Sequence, residues 1–416
     1  MNTRLLWLVA VLCVGVVGLV ACGSSYSSKS NGLVIVPSTG SLVVQAFGFD
    51  LSSGKPSTIN TSPTITGNPA AVVVDPAGAF AYVAAINSDP TKTGITAFSI
   101  HSDGTLSVSG SLIAVCSKQS DVASCPPAEV LVPAAMTLDT AGKFMFVTTG
   151  TTGNVATFSV SSGTLAQTAI TTPTGVGILP TPNMVGVAVT PLSFPALNKT
   201  SGASNSVCAG SASPLKEFLY AADAENNLVW EFTVDSSGSL GTPTGMQSFP
   251  TGSLPAGIAL DSCNRYVYVT NKQTPTISGY AICNDSLANV CPIVATQDGH
   301  LIPVSTTSIT GAGAQPTALA IDPFARYLYV VDSGANKIFG YRLSQSSGTL
   351  TPLTPASLST DSVPVSVAIR SDGQWMFVTN YGSGTVSEFS IVPASGAFTA
   401  QAVITTDNNP YGVAVK

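Results

Sequence analysis

Apolar and polar residues alternate along this chain in short runs, and the runs recur as one repeated unit. The clearest copy opens with Pro316-Thr317-Ala318-Leu319-Ala320-Ile321-Asp322, an apolar run closed by an aspartate. Tyr327-Leu328-Tyr329-Val330 follows, then a turn at Gly334-Ala335-Asn336. A third run, Lys337-Ile338-Phe339-Gly340-Tyr341, leads into a Ser347-Gly348-Thr349-Leu350 hairpin. Short β-branched and aromatic runs bounded by Gly, Asn and Asp are the signature of strands. No sustained helical period appears after the N-terminal segment. The first run of the unit recurs after Pro69, Pro133, Met184, Pro255, Pro316, Pro364 and Pro410. Its partner run appears at 80–83, 144–147, 218–220, 266–269, 327–330 and 375–378. Proline is tolerated at the opening of a strand because no ladder hydrogen bond is lost there.

Six complete units leave one divided between the two ends of the sequence. Pro410-Tyr411-Gly412-Val413-Ala414-Val415-Lys416 is a first strand with no successor. Leu33-Val34-Ile35-Val36, a turn at Ser38-Thr39-Gly40 and the run 42–49 are later strands with no first. Joined, they make a seventh unit and pair edges that would otherwise stay open. The pattern therefore predicts an all-β, seven-bladed propeller over residues 32–416, its ring closed by the C-terminal strand on the N-terminal strands. Two units are enlarged, at 191–216 and around 283–300.

The first residues change the picture by adding an address. Arg4 precedes an apolar run from Leu5 to Val20, and Leu19-Val20-Ala21-Cys22 resembles the bacterial lipobox. Residues 1–21 thus read as a signal peptide and 22–31 as a lipidated Cys22 with a flexible tether. A transmembrane anchor is the alternative reading of the same run. Gly23 rather than Asp after the lipid cysteine, by resemblance to enteric sorting rules, implies the outer membrane, on its periplasmic or surface face. Only 9% of residues are charged, against roughly 25% in ordinary soluble domains. The surface is therefore built from Ser, Thr, Asn and Gly. A net charge of −6 without any Lys/Arg cluster argues against a nucleic-acid partner.

With Cys13 in the signal and Cys22 lipidated, six cysteines remain: Cys116, Cys125, Cys208, Cys263, Cys283 and Cys291. An even number in an exported protein suggests disulfides. The favoured pairs are Cys116–Cys125 and Cys283–Cys291, which close short loops, and Cys208–Cys263, on neighbouring units at one end of the ring. None has zinc-ribbon spacing, so no metal site and no cofactor is expected.

Tyr268-Val269-Thr270-Asn271, its near copy Phe377-Val378-Thr379-Asn380 and the turn Asn380-Tyr381-Gly382-Ser383-Gly384-Thr385-Val386 carry a family resemblance. Over roughly residues 31–416 the chain resembles the lactonase family of seven-bladed propellers, including 6-phosphogluconolactonase-like proteins. The resemblance implies a lactone hydrolase with a His, Arg or Glu constellation at the mouth of the central channel. The loops and turns expected at that mouth supply a candidate ligand-binding face. Asn68, Asn183, Gln315 and Asn409 come from the loops entering first strands. Asn87, Asp89, Asp223, Asn271, Lys272, Asp332, Asn380 and Tyr381 come from the turns after second strands, with Tyr411 nearby. Each also suits plain turn chemistry. His101 and His300 read as exposed hairpin residues on the outer rim, and the arginines fall on other turns. No catalytic residue is assigned on this reading. The leading expectation is a monomeric, lipid-anchored, non-catalytic binding or scaffold module for a glycan, a cell-wall fragment or an envelope protein. The alternative is the lactonase-like hydrolase.

Overall fold

The computed structural model describes residues 31–59, 62–118, 125–150, 152–173, 181–190, 217–241, 248–283, 299–311 and 313–416. Its strands form seven antiparallel sheets, arranged as the blades of a propeller. Blade 1 runs Asn68–Val74, Phe80–Ile86, Gly94–Ile100 and Leu106–Ile113. Blades 2, 4, 5 and 6 repeat that order, and blade 3 differs only in an outer strand divided into Leu240–Gly241 and Ser248–Pro250. Blade 7 is the composite one. Ala414–Val415 pairs with Asn31–Ser38, which pairs with Val43–Asp50, which pairs with Pro56–Thr58. The closure is thus made as the divided repeat predicts.

The repeat explains the blades residue by residue. Asp75, Asp139, Asp261 and Asp322 each end a first strand. Each accepts two backbone N–H groups from the start of the second strand, as Asp322 does from Arg326 at 2.5 Å and Tyr327 at 2.7 Å. The side chain thereby replaces ladder bonds that a tight turn cannot make. The aromatic at the start of the second strand is buried between blades in blades 3 to 6, as Phe218, Tyr266, Tyr327 and Trp375. Tyr327, Tyr329, Met376, Phe389 and Phe398 form one such seam, and Val34, Phe47, Phe49, Trp375 and Phe377 form the seam at the closing blade. The hydrophobic core is therefore seven inter-blade layers rather than one centre.

The first strands pack side by side around the axis. Their approach is close enough that a Cβ on Gly257 would lie 2.9 Å from Leu319 Cδ2 and 3.0 Å from the Thr317 carbonyl. In six blades the register of the first strand shifts just after its opening residue, as between Pro255 and Ile258. Such bulges re-aim the backbone where a sheet meets a functional surface. The enlarged segments 191–216 and 284–298, and the whole leader with Cys22, lie outside the described residues.

Candidate functional site

Antiparallel pairing puts the start of every first strand beside the end of its second strand, as Pro316 lies opposite Asp332. One face of the ring therefore collects seven equivalent positions, the residue just before each first strand's opening Pro or Met. Blades 1, 3, 5 and 7 place amides there: Asn68, Asn183, Gln315 and Asn409. Blades 2, 4 and 6 place branched aliphatics: Val132, Leu254 and Val363. The ring alternates between the two chemistries and carries no charge. Its backbone is pinned, because the carbonyls of Leu254, Gln315 and Val363 accept from the N–H of Lys272 at 2.8 Å, Ser333 at 3.0 Å and Tyr381 at 2.8 Å.

Two of the aliphatics sit in an unfavourable backbone region. Leu254 has φ 56° and Val363 φ 52°, where a non-glycine residue costs about 1–2 kcal/mol and a β-branched one is an outlier. Both are held by the preceding blade. The Leu254 N–H donates to Asn227 Oδ1 at 2.7 Å, and the Val363 N–H to Asn336 Oδ1 at 2.8 Å. Their side chains remain 42% and 38% exposed, and Val132 39%.

Beneath this ring lie the last residues of the second strands, and here the structure separates the predicted residues into two groups. Asp223, Asn271, Asp332 and Asn380 are fully buried. Asp223 accepts from the Asn183 N–H at 3.0 Å, the Glu225 N–H at 3.1 Å and the Trp230 indole at 3.0 Å. Asn271 donates to Thr276 Oγ1 and Ser278 Oγ, both at 2.9 Å, and Asn380 repeats this with Thr385 at 3.0 Å and Ser387 at 2.9 Å. Asp223 has both carboxylate oxygens engaged, whereas Asn271 and Asn380 cap their turns through Nδ2 and keep an Oδ1 without a partner among the described residues. Asp332 is the carboxylate in that condition: Oδ1 accepts from Gln315 N–H at 2.8 Å and Ala335 N–H at 2.9 Å, while Oδ2 has no partner among the described residues.

The second group reaches solvent. Asn68, Gln315 and Tyr411 are exposed, and Asn87, Asn183, Lys272, Tyr381 and Asn409 are half-buried. Asn87 donates to the Thr66 carbonyl and accepts from the Asp89 N–H at 2.9 Å, so it holds its own loop. Tyr381 of blade 6 and Tyr411 of blade 7 meet edge to face, with ring centroids 6.3 Å apart at 85°. Asn409 Nδ2 donates to the Tyr381 carbonyl at 3.1 Å. Three residues read separately in the sequence thus form one cluster at the closing seam.

The arginines and histidines fall elsewhere. Arg265 pairs with Asp261 at 3.0 Å, Arg326 with Asp322 at 3.1 Å and Arg370 with Asp372 at 2.6 Å, all on first-to-second turns at the opposite end. His101 is exposed, with Nε2 2.8 Å from Ser107 Oγ. His300 corrects the expectation of an exposed rim residue: it is buried against Phe249, with Nδ1 2.9 Å from Glu231 Oε2. It lies in the seam between blades 3 and 4, because the hairpin of one blade folds onto the face of the one before. Among the described residues, no Arg or His side chain stands at the mouth, and no group of three or more His, Cys, Asp or Glu could hold a metal ion.

Glu388 escaped the sequence reading. It is buried, neither carboxylate oxygen has a partner among the described residues, and burial pushes it up to about 7. Its signal was present: the matching third-strand residue is Ala97, Thr157, Gly279 or Gly340 in four other blades. Cys116 and Cys125 form a disulfide on the loop that leads into blade 2. Cys263 and Cys283 are also disulfide-bonded; Cys208 and Cys291, named as their partners from sequence, lie outside the described residues.

Residues 288–414 match the family model described as lactonase, seven-bladed β-propeller. No curated protein matches the chain in sequence. Among solved structures, a candidate 6-phosphogluconolactonase of Bacteroides fragilis is similar at 17% identity, with TM-score 0.71 over 94% of this chain and 99% of that one. The periplasmic gluconolactonase PpgL of Pseudomonas aeruginosa is similar at 18% identity, with TM-score 0.66 over 93% and 99%. Identities this low speak for the fold. This chain is therefore a seven-bladed β-propeller, and its residues 288–414 match the lactonase family model.

Proposed function

We propose that the propeller binds a lactone at the channel mouth, beside Tyr381 and Tyr411, and opens its ring by hydrolysis. The observation that carries this reading is the family match. Its span, 288–414, includes the segments that bear Gln315, Asp332, Tyr381, Asn409 and Tyr411. Opening a lactone needs a base for the attacking water and donors for the carbonyl oxygen as it gains charge. Asp332, buried beneath the ring with Oδ2 uncommitted, is the carboxylate this reading assigns as the base. Lys272 and the two tyrosine hydroxyls are the available donors. Binding without turnover, with a glycan, cell-wall fragment or envelope protein as ligand, is the second reading. It is favoured by the absence of Arg and His from the described mouth.

Turnover of a lactone panel tests the proposal. Asp332→Asn puts at this position the residue that blades 4 and 6 already use, so the turn survives the change. Turnover is expected to fall at least about 100-fold, the lower range for loss of a general base. An unchanged rate in this variant removes Asp332 from the chemistry, and no turnover by the parent protein leaves binding alone.

The leader carries a second proposal: export and anchoring through a lipidated Cys22, in the cell envelope and at the outer membrane, as a monomer without a nucleic-acid partner. The Cys116–Cys125 disulfide supports an oxidising compartment. Cys22→Ala is expected to move the protein from the membrane fraction to the soluble one. Retention of that variant in the membrane would favour a spanning anchor instead.

A further inference from the structure

We infer that the mouth ring selects an uncharged lactone carrying an alkyl substituent, through Val132, Leu254 and Val363. The inference rests on the lactone reading above and deepens it. These three side chains hold equivalent places in alternate blades and leave 38–42% of their surface exposed. Among the described residues only Val108, Val392, Val403 and Tyr411 are comparably exposed large apolar groups, and Tyr411 belongs to the same mouth. Exposed apolar surface is thus concentrated where a ligand would arrive.

The surroundings fit the same chemistry. The first strands below the ring, such as Asn68–Val74, Pro255–Leu260 and Pro364–Ile369, hold no charged residue. A phosphate or carboxylate would need a cation clamp, and the arginines stand at the other end of the ring. Of the lysines on this face, Lys92 is held by Asp89 at 3.5 Å and Lys118 by Glu129 at 2.9 Å, which leaves Lys272 and Lys337, single cations on neighbouring blades without an arginine beside them. A row of ligand hydroxyls facing three aliphatics would give up water without gaining partners. An alkyl chain in the same place gains by leaving water, while the amides of Asn183 and Gln315 between these blades remain to bind the lactone's ester.

Backbone conformation supplies the second argument. Leu254 and Val363 adopt a left-handed φ that asparagine accepts readily, as Asn409 does at φ 58° in blade 7. A bulky apolar side chain there stays 38–42% exposed and is conformationally disfavoured, so the fold itself gains little from it. A ligand would.

The experiment compares δ-decalactone, glucono-δ-lactone and 6-phosphoglucono-δ-lactone as substrates of the full chain. The inference expects kcat/KM at least tenfold higher for δ-decalactone than for either of the others. It also expects the double variant Leu254→Asn/Val363→Asn to lose that preference mainly through KM, while melting no lower than the parent. Preference for the hydroxylated or phosphorylated lactone, or an alkyl preference unchanged in the variant, overturns it. If none of the three is hydrolysed, the hydrolase reading fails alone. Calorimetric binding then decides the inference: tighter binding of δ-decalactone supports it, and equal or weaker binding overturns it.

Discussion

Glu388 shows how one side chain can set the pH response of a seam. It faces the closing blade, where a Cβ on Gly54 would lie 2.9 Å from its Oε1. Burial without a partner favours the neutral acid, hence the rise from 4.5 to about 7. The unfolded chain ionises near 4.5, the folded one near 7, so the folded state holds the extra proton between these values. Stability from this group is therefore complete below about pH 4.5, falls as pH rises towards about 7, and is lost above it. Glu388→Gln removes the dependence. The variant should match the parent near pH 4.5 and exceed it at pH 8 by about 1–3 kcal/mol in urea unfolding. Glu217, also raised to about 7 by burial, contributes the same slope to both proteins and cancels in the difference. Parallel pH profiles for parent and variant would dismiss the assignment.

Strands and hairpins carry a second regularity that the repeat motif did not announce. In blades 3, 4 and 5 the tyrosine within the second strand reaches across the seam to the glycine carbonyl of the next blade's outer hairpin. Tyr268 donates to Gly348 at 2.7 Å, Tyr329 to Gly396 at 2.8 Å, and Tyr220 to Gly299. In blade 6 Phe377 takes the tyrosine's place and cannot donate, and its cross-strand partner is Glu388. The tyrosine hydroxyl is thus an inter-blade clasp. Tyr329→Phe keeps the ring in the core and leaves a buried carbonyl without its donor, so a loss of about 1–2 kcal/mol is expected in chemical unfolding. A change below about 0.5 kcal/mol would mean that the seam is held by packing alone. The Tyr-Val-Thr-Asn motif is therefore mechanical: Tyr268 clasps, Val269 packs, Thr270 accepts the Gly257 N–H at 2.9 Å in the bulge, and Asn271 caps the turn.

For the whole molecule, the decisive contact is the short strand Ala414–Val415 on Asn31–Ser38, extended by the Lys416 N–H donating to the Leu33 carbonyl at 2.9 Å. It completes the seventh blade and hides the strand edge of residues 33–36. Deleting residues 410–416 would expose that edge and part of the seam that holds Val34, Phe377 and Val413. Open edges template association. The truncated protein is expected to melt at least about 5 °C lower and to self-associate in size-exclusion chromatography; a monomer with the parent's melting temperature would show that closure adds little. The blades and their closure were legible in the sequence because strand alternation, opening prolines, turn aspartates and hairpin glycines are local signals that repeat.

The mouth was only half legible. Loops and turns could be assigned to one face by strand direction, and Tyr381, Asn409 and Tyr411 do gather there. Direction alone does not give depth, so Asp223, Asn271 and Asn380 looked like surface ligands although each is buried at its own turn. Val132, Leu254 and Val363 passed unnoticed because a single aliphatic before a proline looks ordinary in one repeat. Their meaning appears only when the ring places them in alternate blades. His300 was misjudged for a related reason, since its burial depends on the neighbouring blade. By itself, then, the sequence determined the strands, the number of blades and the closure of the ring. Which polar groups are spent inside turns and which side chains remain at the mouth was decided by tertiary structure, because burial and partnership belong to contacts between blades.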